Sequence, residues 1–289
     1  MNSTLETVYR KQRTLQNLSS FSGIGIHTGQ QVSLRFCPAK EGTGVVFKRV
    51  DLASQPIIPA TIEYVQDTAR STTIGINDIR IHTVEHVLSA IKAYNIDNVC
   101  IEITNIEPPV GNGSADVFVE MIERVGVCEQ SQLTPIFKLK QPVYWSSQDI
   151  QLIALPYDGY RISYVLNYTE SPLLSGQFFS VIVNEENFKK EIASCRTFSL
   201  YSELSTLIDR GLIKGGSLDN AVVIKDDAIL SKGGLFFPNE MARHKILDLI
   251  GDLSLIGLDM HAHIIAIRSG HPSNFAFAKC LLNHITMEN

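Results

Sequence analysis

Polar and apolar positions alternate in short runs over the first sixty residues, as in VSLRF (32 to 36), and VVFKR (45 to 49) adds a β-branched run. Pro38, Gly42 and Gly44 separate the two. A period of two bounded by turn residues predicts strands and hairpins. The period then lengthens. Between residues 83 and 94 the apolar Val84, Val87, Leu88 and Ile91 recur at helical spacing, and residues 98 to 103 return to a strand pattern before the break at Pro108 and Pro109. Residues 114 to 125 read as a second helix with Ser114 as its N-cap. A polar, turn-prone stretch at residues 130 to 135 is the expected domain boundary. Beyond it the order repeats: strands at 137–144, 151–155 and 161–166, a helix at 240–256, a strand at 261–268, a turn at Ser269 and Gly270, and a last helix at 273–284. Strands, helix, strand, helix occurring twice predicts an α+β protein of two similar domains, 1–130 and 136–289, each a mostly antiparallel sheet layered with helices.

Composition narrows the class. The chain has 289 residues, 44% hydrophobic and 19% charged, which suits two compact cores. Net charge is −5, and Lys and Arg are scattered, so no nucleic-acid partner is expected. The opening stretch MNSTLETVYRKQRTLQ has charges where a signal peptide needs an apolar core, and no stretch reaches the ~18 apolar residues of a membrane span. A cytoplasmic protein without an integral membrane segment is the expectation. Five cysteines, widely spaced and without a CxxC pair, argue against a disulfide framework and against a cysteine metal site.

Two polar clusters interrupt otherwise apolar helices. In IHTVEHVLSA (81 to 90), His82 and His86 stand at i and i+4 beside Glu85, the H-x-x-E-H pattern of one class of zinc peptidases. In ARHKILDLIGDLSLIG (242 to 257), His244, Asp248 and Asp252 follow at intervals of four, one polar stripe on an Ile- and Leu-rich helix. Such a stripe is costly to bury unless its members pair or bind a metal, and His with Asp is a normal zinc donor set. Either histidine of the first helix is equally compatible with an ordinary surface or core role. His261 and His263 share one side of their strand, where packing is the simpler reading. His271 in RSGHPSN follows a glycine turn, Thr197 sits in CRTF and Lys245 follows His244; alone, these three also suit an exposed loop histidine, a core threonine and a solvated charge. The glycines of FSGIGIHTG lack the strand, helix and acidic residue of a dinucleotide-binding unit and read as a tight turn.

Several ordered segments together resemble one family: QRTLQ (12 to 16), SGIGIHTG (22 to 29), TVEH (83 to 86), GNGSADVFVE (111 to 120), CRTF (195 to 198), GLIKGGSLDNAVV (211 to 223), RHKILDLIGDL (243 to 253) and RSGH (268 to 271). They are similar to the zinc-dependent UDP-3-O-acyl-N-acetylglucosamine deacetylases of lipid A biosynthesis, over nearly the whole chain. The resemblance implies a β-α-α-β sandwich with the active site between the two domains. It implies zinc held by His86, His244 and Asp248, with Glu85 as general base to a zinc-bound water and His82 outside the ligand set. His271 is implied as general acid or electrostatic stabiliser, Asp252 as the carboxylate that keeps it charged, and Thr197 as a donor to the oxyanion. An insert at about 197–223 would take the acyl chain, through Phe198, Leu200, Leu204, Ile213, Gly216, Ser217, Ala221 and Val223. Lys245 and Arg268 would face the sugar and diphosphate of a UDP-linked acylated amino sugar. A monomer is expected. Two rivals remain at this point, a zinc peptidase-like hydrolase built on H-x-x-E-H and a non-enzymatic zinc-binding module.

Overall fold

The computed structural model describes residues 5–169 and 171–287; Met1 to Thr4, the start of the stretch tested above for a signal peptide, lie outside the described residues. Along the chain, β1 (Leu5–Leu15), β2 (Ser19–Ile24), β3 (Gln31–Pro38), β4 (Val45–Arg49) and β5 (Ile57–Pro59) come first, followed by the short strands β6 (Val65–Asp67), β7 (Thr73–Ile76) and β8 (Ile79–Ile81). Helix α1 (Glu85–Ala93), β9 (Val99–Ile103) and α2 (Asp116–Val125) complete the first half. The second half holds β10 (Val127–Leu139), β11 (Val143–Ser147), β12 (Ile150–Leu155), β13 (Tyr160–Leu166), β14 (Gln177–Ile182) and α3 (Glu185–Glu191). An insert of β15 (Phe198–Leu200), α4 (Tyr201–Asp209), β16 (Val222–Lys225) and β17 (Ala228–Leu230) precedes α5 (Glu240–Ser254), β18 (Asp259–Ile267) and α6 (His271–Met287).

The pseudo-repeat is visible in strand order and direction. In the first half β2, β3, β9, β4 and β5 lie side by side in that order, and β9 runs antiparallel to β3 and parallel to β4. In the second, β18 lies between β12, antiparallel, and β13, parallel, with β11 and β14 flanking them. Alternation makes this possible: every second residue of β3 is buried, and in β18 Met260, Ala262, Ile264 and Ala266 face inward. His261 and His263 therefore face away from the helices, toward Asp158 and Ser163. The helices cover the inner faces, and α1 packs on α5. The result is an α+β protein with helices layered between sheets and one continuous apolar core shared by both halves.

Residues 130–135 differ from the expectation. They lie inside β10: residues 133–135 pair with β1, while the register slips over 130–132, where Glu41 accepts the Ser131 and Gln132 N–H groups and Gln130 donates to the Ala39 carbonyl. The β1–β10 ribbon also straddles the halves. β10 runs parallel to the start of β18, Thr14 bridges to Asn98 ahead of β9, and Arg10 donates to both Asp97 (2.7 Å) and Asp259 (2.8 Å). The second helix begins at Asp116, two residues after Ser114, whose hydroxyl still accepts the Asp116 N–H at 3.2 Å.

Candidate active site

Helix α1 starts at Glu85, so the i, i+4 face expected for His82 and His86 does not form. Thr83 adopts φ +55°, a left-handed conformation costly for a β-branched residue, and its hydroxyl donates to Glu107 at 3.1 Å. His82 is left ahead of the helix with Nδ1 2.8 Å from the Thr73 hydroxyl. Glu85 and His86, both buried, stand alone on the first turn. The stripe on α5 forms as expected, and His244, Asp248 and Asp252 are all buried. Gly251 lets the two helices meet: a Cβ there would lie 2.1 Å from the Glu85 carbonyl oxygen.

His86, His244 and Asp248 converge, offering ligand atoms within 4.8 Å of one another. Nε2 of His86 is 3.6 Å and Nε2 of His244 3.4 Å from Oδ1 of Asp248. That Oδ1 is buried and has no hydrogen-bond partner, while Oδ2 accepts from Nζ of Lys245 at 2.7 Å. His244 Nδ1 is 3.0 Å from the Cys195 carbonyl oxygen, so Nδ1 carries the proton and Nε2 turns a lone pair toward Asp248. Burial lowers the His244 imidazole to about 4 and keeps it neutral. Burial is the largest influence on Asp248 and opposes its charge, but Lys245 together with the neighbouring imidazoles outweighs it and holds the carboxyl well below its ordinary range. An anionic oxygen and a neutral imidazole lone pair facing one another repel, and a divalent cation between them removes the conflict. Two imidazoles and one carboxylate suit zinc, and suit ferrous iron as well.

Beside the donor set lies an acid-base cluster. His271 is the first residue of α6 and buried, not an exposed loop residue as its glycine-turn context suggested. Its Nδ1 donates to Oδ2 of Asp252 at 2.8 Å, and its Nε2 is 3.9 Å from Oε1 of Glu85. Burial and a helix N-terminus both disfavour an imidazolium, yet Asp252 and Glu85 outweigh burial and raise the group to about 9. The Glu85 carboxyl is pushed up, chiefly by burial. Its Oε2 accepts the Thr72 N–H at 3.0 Å.

Both clusters open into one cavity of about 700 Å³. Thr197, Lys245 and all eight acyl-side positions expected from the sequence line it. Arg268 does not: it pairs with Asp149 at 3.1 Å, because a left-handed φ of +57° closes β18 there. Sequence reasoning missed Thr72, His27, Arg70 and Glu203. His27 lies in the quoted SGIGIHTG motif, where its turn is fixed by the buried Glu107 carboxylate accepting both the His27 and Thr28 N–H groups at 3.0 Å. Arg70 and Glu203 pair at 3.0 Å across the cavity from opposite halves, a contact with no sequence signal.

Residues 12–283 match the family described as LpxC, UDP-3-O-acyl N-acetylglycosamine deacetylase. Proteins named UDP-3-O-acyl-N-acetylglucosamine deacetylase are similar over nearly their full lengths. The one from Chlamydia caviae is 51% identical, covering 94% of this chain and 97% of its own. That of Chlamydia felis is 50% identical, covering 96% and 98%, and that of Chlamydia pneumoniae 48% identical, covering 96% and 99%.

Proposed function

The chain belongs to the LpxC family of UDP-3-O-acyl N-acetylglycosamine deacetylases, and from that premise we propose that it hydrolyses the N-acetyl group of UDP-3-O-[(3R)-3-hydroxyacyl]-N-acetylglucosamine. The products are acetate and the free amine, at the committed step of lipid A biosynthesis. His86, His244 and Asp248 would hold zinc, which when bound acts as a Lewis acid and lowers the pKa of a water toward ~7. The observation that carries this reading is the buried Oδ1 of Asp248, without a hydrogen-bond partner and facing two imidazole nitrogens.

The chain's own groups supply the proton traffic. Glu85 has Oε2 occupied by the Thr72 N–H and a carboxyl made more basic by burial, which suits a base that takes the water's proton. Thr197, on the cavity wall, donates to the oxyanion that develops on the acetamide carbonyl. An amine leaves only when protonated, and His271, held as a cation at about 9, is the acid or the electrostatic stabiliser for that step. Lys245 presents the cation nearest the donor set, toward the sugar and diphosphate side. The acyl chain fits the insert, where Leu200, Leu204, Ile213, Ala221 and Val223 make the cavity wall apolar. Arg268, bound to Asp149 away from the cavity, has no part in this scheme.

The peptidase alternative needs His82 as a ligand, and His82 is bonded to Thr73 instead. No helix among the described residues is long and apolar enough to cross a membrane. The proposed enzyme is a monomer that acts on a UDP-linked precursor in the cytoplasm. Acetate release from the UDP-linked substrate by metal-loaded and chelator-stripped enzyme tests the proposal. Release that stops on stripping and returns with zinc is expected. No release from enzyme holding stoichiometric metal would overturn the substrate assignment.

A further inference from the structure

We infer that Thr72 is a positioning residue that locks the carboxylates of Glu85 and Asp252 against one another across the two halves of the molecule. The inference rests on the acid and base roles proposed above. Thr72 is buried at the entry to β7, and all three of its polar groups are engaged. Its N–H donates to Oε2 of Glu85 at 3.0 Å, and its carbonyl accepts the Val84 N–H, just ahead of α1, at 3.2 Å. Its hydroxyl donates to Oδ1 of Asp252 at 2.6 Å and lies 3.4 Å from Nδ1 of His271.

A carboxylate turns easily about its last torsion, so one hydrogen bond to His271 would leave Asp252 loosely oriented. Thr72 occupies Oδ1, and Oδ2 is then the oxygen left for His271 and for Nδ2 of Asn274, each at 2.8 Å. The same residue occupies Oε2 of Glu85 and leaves Oε1 toward Nε2 of His271. One threonine thus decides which oxygen of each carboxylate is free for chemistry. It also ties the first half, through Glu85, to the second, through Asp252. Cooperative networks of this kind fix geometry more firmly than their separate pairs would.

Thr72→Val preserves shape and the backbone N–H while removing the hydroxyl, and Thr72→Ser keeps the hydroxyl. In metal-loaded enzyme the valine variant is expected to lose about tenfold or more in kcat with KM within about twofold. Its metal content stays unchanged, and Thr72→Ser restores most of the rate. A second readout needs no turnover: the imidazole titration of His271, followed by NMR on histidine-labelled protein. The groups facing that imidazole are Asp252, Glu85 and Asp248. In Thr72→Val the titration is expected to move down toward the ordinary histidine range, and in Thr72→Ser to stay in place. Overturning results are an unmoved or raised titration in Thr72→Val, equal rate losses in both variants, or loss of metal with the hydroxyl. If the wild type releases no acetate but the titration moves in Thr72→Val alone, the positioning role stands and the deacetylase reading falls.

Discussion

Around β9 and around β18 the chain builds the same five-strand order with the same directions, yet the helices that precede those strands carry different chemistry. Helix α1 presents Glu85 and His86 as neighbours in its first turn, whereas α5 sets out His244, Asp248 and Asp252 one turn apart. Neighbouring helical residues point about 100° apart, so Glu85 and His86 diverge into two tasks from one turn. Residues four apart face the same way at steps of about 6 Å, so α5 delivers its first two members to the donor set and its third to His271. Neither half holds a complete site. A duplicated scaffold becomes a site here only where its two unlike helices meet, and Gly251 permits that approach.

The largest loss is expected from a change on the α5 side. His244→Ala is expected to abolish both metal binding and acetate release, as measured by metal quantification alongside turnover, because His244 supplies one of the three converging ligand atoms. Glu85→Gln removes the divergent partner on α1 instead. Metal content should stay stoichiometric while kcat falls by roughly 10²–10⁴, the range of general base catalysis. Gly251→Ala tests the junction itself: with the Glu85 backbone in the way of the new methyl, destabilisation of at least ~1–3 kcal/mol is expected in denaturant unfolding.

A finer test uses pH. His271, held at about 9, is protonated at neutral pH and loses its proton as pH rises through about 9, so activity that needs the cation falls on that alkaline side. Because its folded value lies above the ordinary 6.5, the stability it contributes is complete below about 6.5 and is lost as pH rises through 9. Asp252→Asn removes the main opposing charge, and the alkaline limb of the rate profile should move to lower pH. The smallest effect is expected for His82→Ala. It removes one hydrogen bond to Thr73, about 0.5–1.5 kcal/mol, and leaves metal content and turnover near wild type.

Much of this arrangement was legible in the sequence, for identifiable reasons. The α5 stripe announced itself because an apolar helix tolerates aligned polar residues only for a purpose, and period-two runs marked β3 and β18. The repeat of element order reappeared as a repeat of sheet topology. Spacing misled at His82, where a left-handed Thr83 delays the helix, a backbone state that a β-branched residue does not advertise. At residues 130–135 the polar, turn-like composition coincides with a slip in the β1–β10 register over 130–132, while the pairing of 133–135 with a strand over a hundred residues away left no local signal. The bond from Thr72 to Asp252 and the Arg70–Glu203 pair were invisible because those partners come from the other half, and no local pattern encodes a contact of that range.

One histidine from each half, with Asp248, is proposed to make the metal centre of a deacetylase. Wild type, His82→Ala and His244→Ala, each assayed for bound metal and for acetate released from UDP-3-O-acyl-N-acetylglucosamine, test it most directly. His244→Ala is expected to lose both and His82→Ala to keep both. Loss of metal in His82→Ala with retention in His244→Ala would contradict it and return the site to the H-x-x-E-H arrangement on one helix.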